Sequence, residues 1–128
     1  MLVGFRRAVY DLLREKTSIP VFRYLPDDVA HLPCHVVGRV GLRPAGTPAV
    51  GVLELTVNLV GRRISDDDAQ AELDALADEL IAALGGTRQV VVDGGALWAT
   101  GVDPGTVVVA GQEFPAYLAT VNTETLTC

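Results

Sequence analysis

From Leu53 to Leu59 every second residue is aliphatic, and Glu54, Thr56 and Asn58 fill the positions between them. A strand turns alternate residues to opposite faces, so this pattern demands a sheet with one apolar side and one polar side. Something apolar has to cover the first side, and two segments qualify. Near the N-terminus, Leu2, Phe5, Val9, Leu12 and Leu13 recur at helical spacing, with Arg7, Asp11 and Arg14 on the opposite side. That helix should end before Pro20, because proline disfavours the α conformation in the residue ahead of it.

The second covering segment follows the alternating strand and reads "SDDDAQAELDALADELIAALGG". Ser65 is placed to cap it, Asp66, Asp67 and Asp68 sit at the positive end of its dipole, and Gly85-Gly86 supplies the stop. Its apolar stripe is Ala69, Leu73, Leu76, Leu80 and Leu84. Its outer face carries Ala71, Ala75 and Ala82 among Asp74, Asp78 and Glu79, a smooth acidic surface rather than the mixed charges of an ordinary solvated helix.

Elsewhere the chain reads as short strands and turns. "IPVFRYL" is extended, Pro26-Asp27-Asp28 is a turn, and "CHVVGRV" is a strand that runs into a Gly/Pro-rich stretch, expected to be a flexible arm around 41–51. After the second helix come "RQVVVD", "ALWATG", "TVVVA" and "FPAYLATVN", separated by expected turns at Gly94-Gly95, Asp103-Pro104-Gly105 and Gly111-Gln112. Pro115 points to an edge strand or a bulge at the start of the last of these. The reading is a single α+β domain over 1–128: one mixed or antiparallel β-sheet with two helices packed on one face.

Composition supports a core of Val, Leu, Ala and Ile, since 49% of the 128 residues are hydrophobic but only 5% are aromatic. No apolar run reaches the roughly 20 residues of a membrane helix, and the N-terminus carries charges through its middle, so no membrane partner or cleaved signal is expected. Cys34 and Cys128 are too few for a disulfide framework, which suits a reducing intracellular setting.

Candidate chemistry concentrates in "DDVAHLPCHV", residues 27–36. A structural zinc site wants four Cys or His ligands in paired short-spaced motifs, and His31, Cys34 and His35 have no second pair to complete them. Asp27 or Asp28 could add a ligand. On a strand, however, Cys34 and His35 point to opposite sides, which also separates them as a nucleophile–base pair. A turn followed by a strand with a buried thiol is the preferred reading. The aspartates at 66–68 fan out around a helix and are better explained by its dipole than by a bound cation. The glycine pairs match neither a P-loop nor a dinucleotide fingerprint. Trp98, the only tryptophan, is read as core, with an interface anchor as the alternative.

Charge is the remaining signal. The net charge of −6 argues against a protein that grips nucleic acid. Residues 1–63 carry nine basic and five acidic side chains, +4, whereas residues 64–128 carry one and eleven, −10. Such a chain suits head-to-tail contact with copies of itself, and a heterologous contact whose rotation closes makes a ring. The same charges could instead confer only solubility. The candidate interface residues are Arg6, Arg7, Arg14, Arg62 and Arg63 on the basic side and Asp74, Asp78 and Glu79 on the acidic side.

Several stretches carry a resemblance that spans nearly the whole chain: "DLLREK", "VFRYLPDDVAHLPCHVVGR", "LRPAGTPAV", "NLVGRRISDDDAQAELDALADELIAALGG" and "TVVVAGQEFPAYLATVNTETLTC". In these the sequence resembles the tail terminator proteins of long-tailed, non-contractile bacteriophages. The resemblance implies helices packed on a β-sheet and assembly as a homo-hexameric ring in the virion. That ring would cap the tail tube, end polymerisation of the major tail protein and offer a surface to the head completion or stopper protein. Genomic DNA would pass through without specific binding. The resemblance implies no cofactor, no metal and no catalytic residues.

Overall fold

The computed structural model of this protein describes residues 2–44, 50–62, 67–85, 90–92 and 95–126. In chain order they form helix α1 (Leu2–Lys16), strand β1 (Val21–Phe22), a 3-10 turn (Val29–His31), β2 (Cys34–Pro44) and β3 (Val50–Val60). Helix α2 (Asp67–Ala83), β4 (Val90–Val92), β5 (Gly95–Val109) and β6 (Gln112–Leu126) complete the order. The strands make one six-stranded sheet ordered β1-β2-β3-β6-β5-β4. Among the described residues only the β1–β2 pair is parallel. The architecture is α+β, with both helices on the same face of the sheet.

An isolated helix the length of α1 is marginal in water, so packing must hold it. Phe5, Val9, Leu12 and Leu13 are buried and join Leu73, Ala77 and Leu80 of α2, and Leu84 just after it, over Leu53, Leu55, Val57 and Leu59 of β3. Each such side chain contributes about 2 kcal/mol of transfer free energy. The alternating strand therefore does what its pattern demanded. α1 closes at Thr17, whose backbone N–H and Oγ1 both reach the Leu13 carbonyl, at 2.9 and 2.5 Å. α2 closes at Gly85, in the left-handed conformation with φ 87°. Its expected cap, Ser65, lies outside the described residues.

The other face of the sheet has a smaller core at one end. Cys34 and Val36 of β2, Val60 of β3, Phe114 of β6 and Val109 of β5 pack there with Leu32. Phe22 also packs against this group. The 22–33 segment thus wraps from the helix side to the back of the sheet.

Two strand expectations need correction. Asp103-Pro104-Gly105 is no turn: β5 runs straight through it, paired with Leu118, Tyr117 and Ala116. Beyond Leu97, β5 is the outer strand among the described residues, so a proline there removes no ladder bond on its free side. Pro115 does not mark an edge either, because β6 lies between β3 and β5. Its carbonyl accepts from Gly61 at 2.8 Å, just beyond the end of β3, so its missing N–H falls where that ladder has already run out. The 41–51 stretch is paired strand over its described residues, with Gly41, Leu42 and Arg43 opposite Glu54, Leu53 and Val52. Residues 45–49 lie outside the described residues.

A bulge interrupts β2 between Val37 and Val40. A Cβ at Gly38 would stand 2.7 Å from the backbone oxygen of Thr56, so only glycine lets the two strands approach this closely.

Candidate subunit interface

Residues 27–36 are pulled apart by the sheet. Cys34, opposite Val60, belongs to the back-face core, and His35, opposite Leu59, belongs to the helix side. His31 is exposed on the 3-10 turn and stacks edge-on against Phe22, 5.5 Å between ring centres. Asp28 accepts the backbone N–H of Ala30 at 2.9 Å, an ordinary turn contact. Burial pushes the Cys34 thiol up to about 11, and burial pulls His35 down to about 4 against the opposing pull of Glu79. A thiol held protonated is a poor nucleophile and a poor ligand. Among the described residues no group of three or more His, Cys, Asp or Glu side chains is placed to hold a metal. Nor, among them, is any helix long and apolar enough to cross a membrane.

Trp98 is half-buried on the back face, opposite Asn122. The Asn122 amide donates to the Thr100 hydroxyl at 3.0 Å.

The organised surface features are charged and flank the helical layer. On α1, Arg6, Tyr10 and Arg14 follow one another at four-residue spacing and so share a face. The chain leaving β1 brings Arg23 and Tyr24 against them. The Arg23 guanidinium lies 4.6 Å from the Tyr10 ring centre, Arg14 lies 5.6 Å from it, and Arg6 lies 5.6 Å from Tyr24. Three arginines interleaved with two tyrosines form a cation–π cluster. Tyr24 is 78% exposed and Leu25 is 42% exposed. They border an open hollow of about 380 Å³, lined also by Phe22, Arg23, Pro26, Asp27, Asp28 and His31.

Arg6 does more than line this surface. Its guanidinium donates to the carbonyls of Gly38 at 3.1 Å, Val37 at 3.2 Å and Arg23. Among the described residues β1 pairs only with His35 and Val36, so on that side the carbonyls at the β2 bulge have no strand, and Arg6 takes its place.

The acidic side is α2. Asp74, Asp78, Ala71, Ala75, Ile81 and Ala82 are exposed. Asp74 accepts from Gln70 at 2.9 Å and from the Tyr117 hydroxyl at 2.8 Å, and the latter bond raises the Tyr117 pKa. Glu79 is half-buried and accepts from the Ser18 N–H and hydroxyl at 2.8 and 3.0 Å, tying α2 to the end of α1. Arg62 pairs within its own chain with Glu72 at 3.4 Å, an exposed contact of little energy. Arg63 lies outside the described residues, and Arg7 is exposed on α1.

The structure thus groups Arg6 with Arg14, keeps Asp74, Asp78 and Glu79 on one helix, and sets Arg62 apart beside α2. Tyr10, Arg23, Tyr24 and Leu25 escaped the sequence reading. Tyr10 had a signal, lying four residues from both Arg6 and Arg14, whereas Arg23 and Tyr24 join only through the fold. α1 contacts β1, β2 and β3, and α2 lies over β3 and β6 through Leu73 beside Gly61 and Asp74 beside Tyr117. Basic and acidic surfaces therefore occupy opposite flanks of one layer.

No family model matches the chain, and no curated protein matches it. Among solved structures it is similar to a chain in the virion of a native gene transfer agent particle, with a TM-score of 0.60 and 18% identity. The likeness covers 97% of this chain and 98% of that one. The two chains share a fold. At that identity the likeness extends to architecture over the full length of both.

Proposed function

We propose that the protein is a structural component of a phage-like virion, forming a homo-hexameric ring that caps the tail tube. The observation that carries this reading is the end-to-end likeness to a chain of a gene transfer agent virion. The sequence resemblance to tail terminators supports the finer placement. The opposed basic and acidic flanks support head-to-tail contact between identical subunits.

In this reading the work is done by shape. A ring seated on the open end of the tube occupies the site of the next tail subunit and so ends polymerisation. Its other side then meets the head completion or stopper protein. A net charge of −6 suits a channel through which DNA passes without sticking, because carboxylates repel phosphates.

Position and copy number in the particle test the proposal. Particles should carry about six copies at the head-proximal end of the tail, and particles lacking the protein should have tails of uncontrolled length. Normal tails in a deletion strain would remove the terminator role. Tails blocked before head joining should already contain the protein; finding it only on heads would assign it to the head side of the neck.

A further inference from the structure

We propose that the surface made by Tyr10, Arg14, Arg23, Tyr24 and Leu25 is the socket that receives the acidic outer face of α2 from a second copy of this chain. This deepens the ring reading and rests on it. Arg14 and Arg23 have no carboxylate within ion-pair distance among the described residues, and each guanidinium is instead held over the Tyr10 ring. A cation seated on an aromatic face keeps its outward N–H groups free, pre-arranged for an incoming carboxylate. Tyr24 and Leu25 stand exposed beside them, and Tyr and Arg are the side chains that most often anchor protein interfaces.

The same molecule carries the complement. Asp74 and Asp78 stand on the exposed side of α2, between the small side chains Ala71, Ala75 and Ala82, which let another surface come close. A molecule has both halves but cannot join them to each other, because they lie on opposite flanks of its helical layer. Joining socket to helix between neighbours leaves one free socket and one free helix at the ends, which is the condition for a ring or a chain. Duplex DNA is the other polyanion that arginines could meet. The strongly acidic second half of the chain disfavours it.

Mixing two complementary variants tests the socket. One is Arg14→Glu/Arg23→Glu, which keeps the acidic helix; the other is Asp74→Asn/Asp78→Asn, which keeps the socket and offers no cation to the reversed one. Each alone, shown folded by circular dichroism, should associate roughly tenfold or more weakly than the wild type in sedimentation analysis. Mixed, they should form 1:1 dimers and stop there, because one intact junction remains and both far ends are blocked. Tyr24→Ala gives a milder socket variant should the double one misfold, and it should also weaken association. Unchanged association in all these variants, or no heterodimer on mixing, overturns the socket while leaving open a ring built on other surfaces. Wild-type protein that stays monomeric at its highest soluble concentration also overturns it, and the ring then stands or falls by copy number in the particle. Capture by duplex DNA that is lost in Arg14→Glu/Arg23→Glu, with self-association intact, assigns the surface to phosphates and overturns the proposal.

Discussion

The Arg6 guanidinium of α1 donates to the Gly38 carbonyl of β2 across 3.1 Å, so a helix side chain completes the hydrogen bonding of a strand edge. With Val37 and Arg23 also accepting, one cation ties α1, the β2 bulge and the segment after β1 together. Arg6→Ala should lower stability by about 2 kcal/mol, the scale of charge-assisted bonds that are partly exposed. Arg6→Lys should recover only part of this, because an ammonium cannot reproduce the fork. Urea unfolding of the three proteins measures both effects; an unchanged midpoint in Arg6→Ala would show that water replaces the guanidinium at no cost.

Gly38 itself is the second test. Gly38→Ala places a methyl 2.7 Å from the Thr56 oxygen, which is backbone and cannot swing aside. Destabilisation of about 1–3 kcal/mol is expected. Gly4→Ala, on the exposed side of α1 with nothing within 4 Å of the new methyl, should be neutral or stabilising by up to about 1 kcal/mol. Thermal melts of the pair separate crowding from a general intolerance of alanine.

His35 makes stability depend on pH. It is fully buried, and neither ring nitrogen has a hydrogen-bond partner among the described residues. Its pKa drops from 6.5 to about 4 on folding. Between those values the unfolded chain binds more protons, so stability is complete above pH 6.5 and falls as pH drops toward 4. The loss through this window is about 3 kcal/mol at most. His35→Leu should remove that slope with little cost at neutral pH, since it leaves no polar atom unpaired. Denaturant unfolding at a series of pH values reads the slope directly, and an identical slope in the variant would acquit His35.

The β5–β6 hairpin turns on Ala110 and Gly111, both with positive φ, 51° and 78°. Two such residues define the tight turn that matches strand twist, and a Cβ in this region is strained. Ala110→Gly should stabilise by about 1 kcal/mol, whereas Gly111→Ala should destabilise by a similar amount although its methyl would touch nothing within 4 Å. Opposite shifts in melting temperature are the expected sign.

Cys34 should be chemically silent in the native state. It is fully buried in the back-face core and its pKa is pushed up to about 11. In a Cys128→Ser background, a thiol reagent at pH 8 should label Cys34 only at the rate of unfolding, and denaturant should make labelling immediate. Prompt labelling of native protein would mean that the 22–33 segment opens readily.

Local pattern was enough to specify α1, α2 and the one-sided β3, because helical spacing and strict alternation are properties of consecutive residues. Separation of Cys34 from His35 followed in the same way, from strand geometry alone. Tertiary structure decided what neighbours in space must supply. Whether Asp103-Pro104-Gly105 bends depends on its place in an outer strand, and Pro115 is tolerated in β6 because β3 ends beside it. The role of Arg6 depends on β1 stopping after Phe22 and leaving carbonyls uncovered. Charge followed the same division: the sequence showed that the two halves differ in sign, but only the packing of α1 and α2 side by side put those signs on opposite flanks. The physical reason is that hydrophobic periodicity selects an element locally, whereas a polar group's role is set by whichever partner long-range pairing brings within about 3 Å of it.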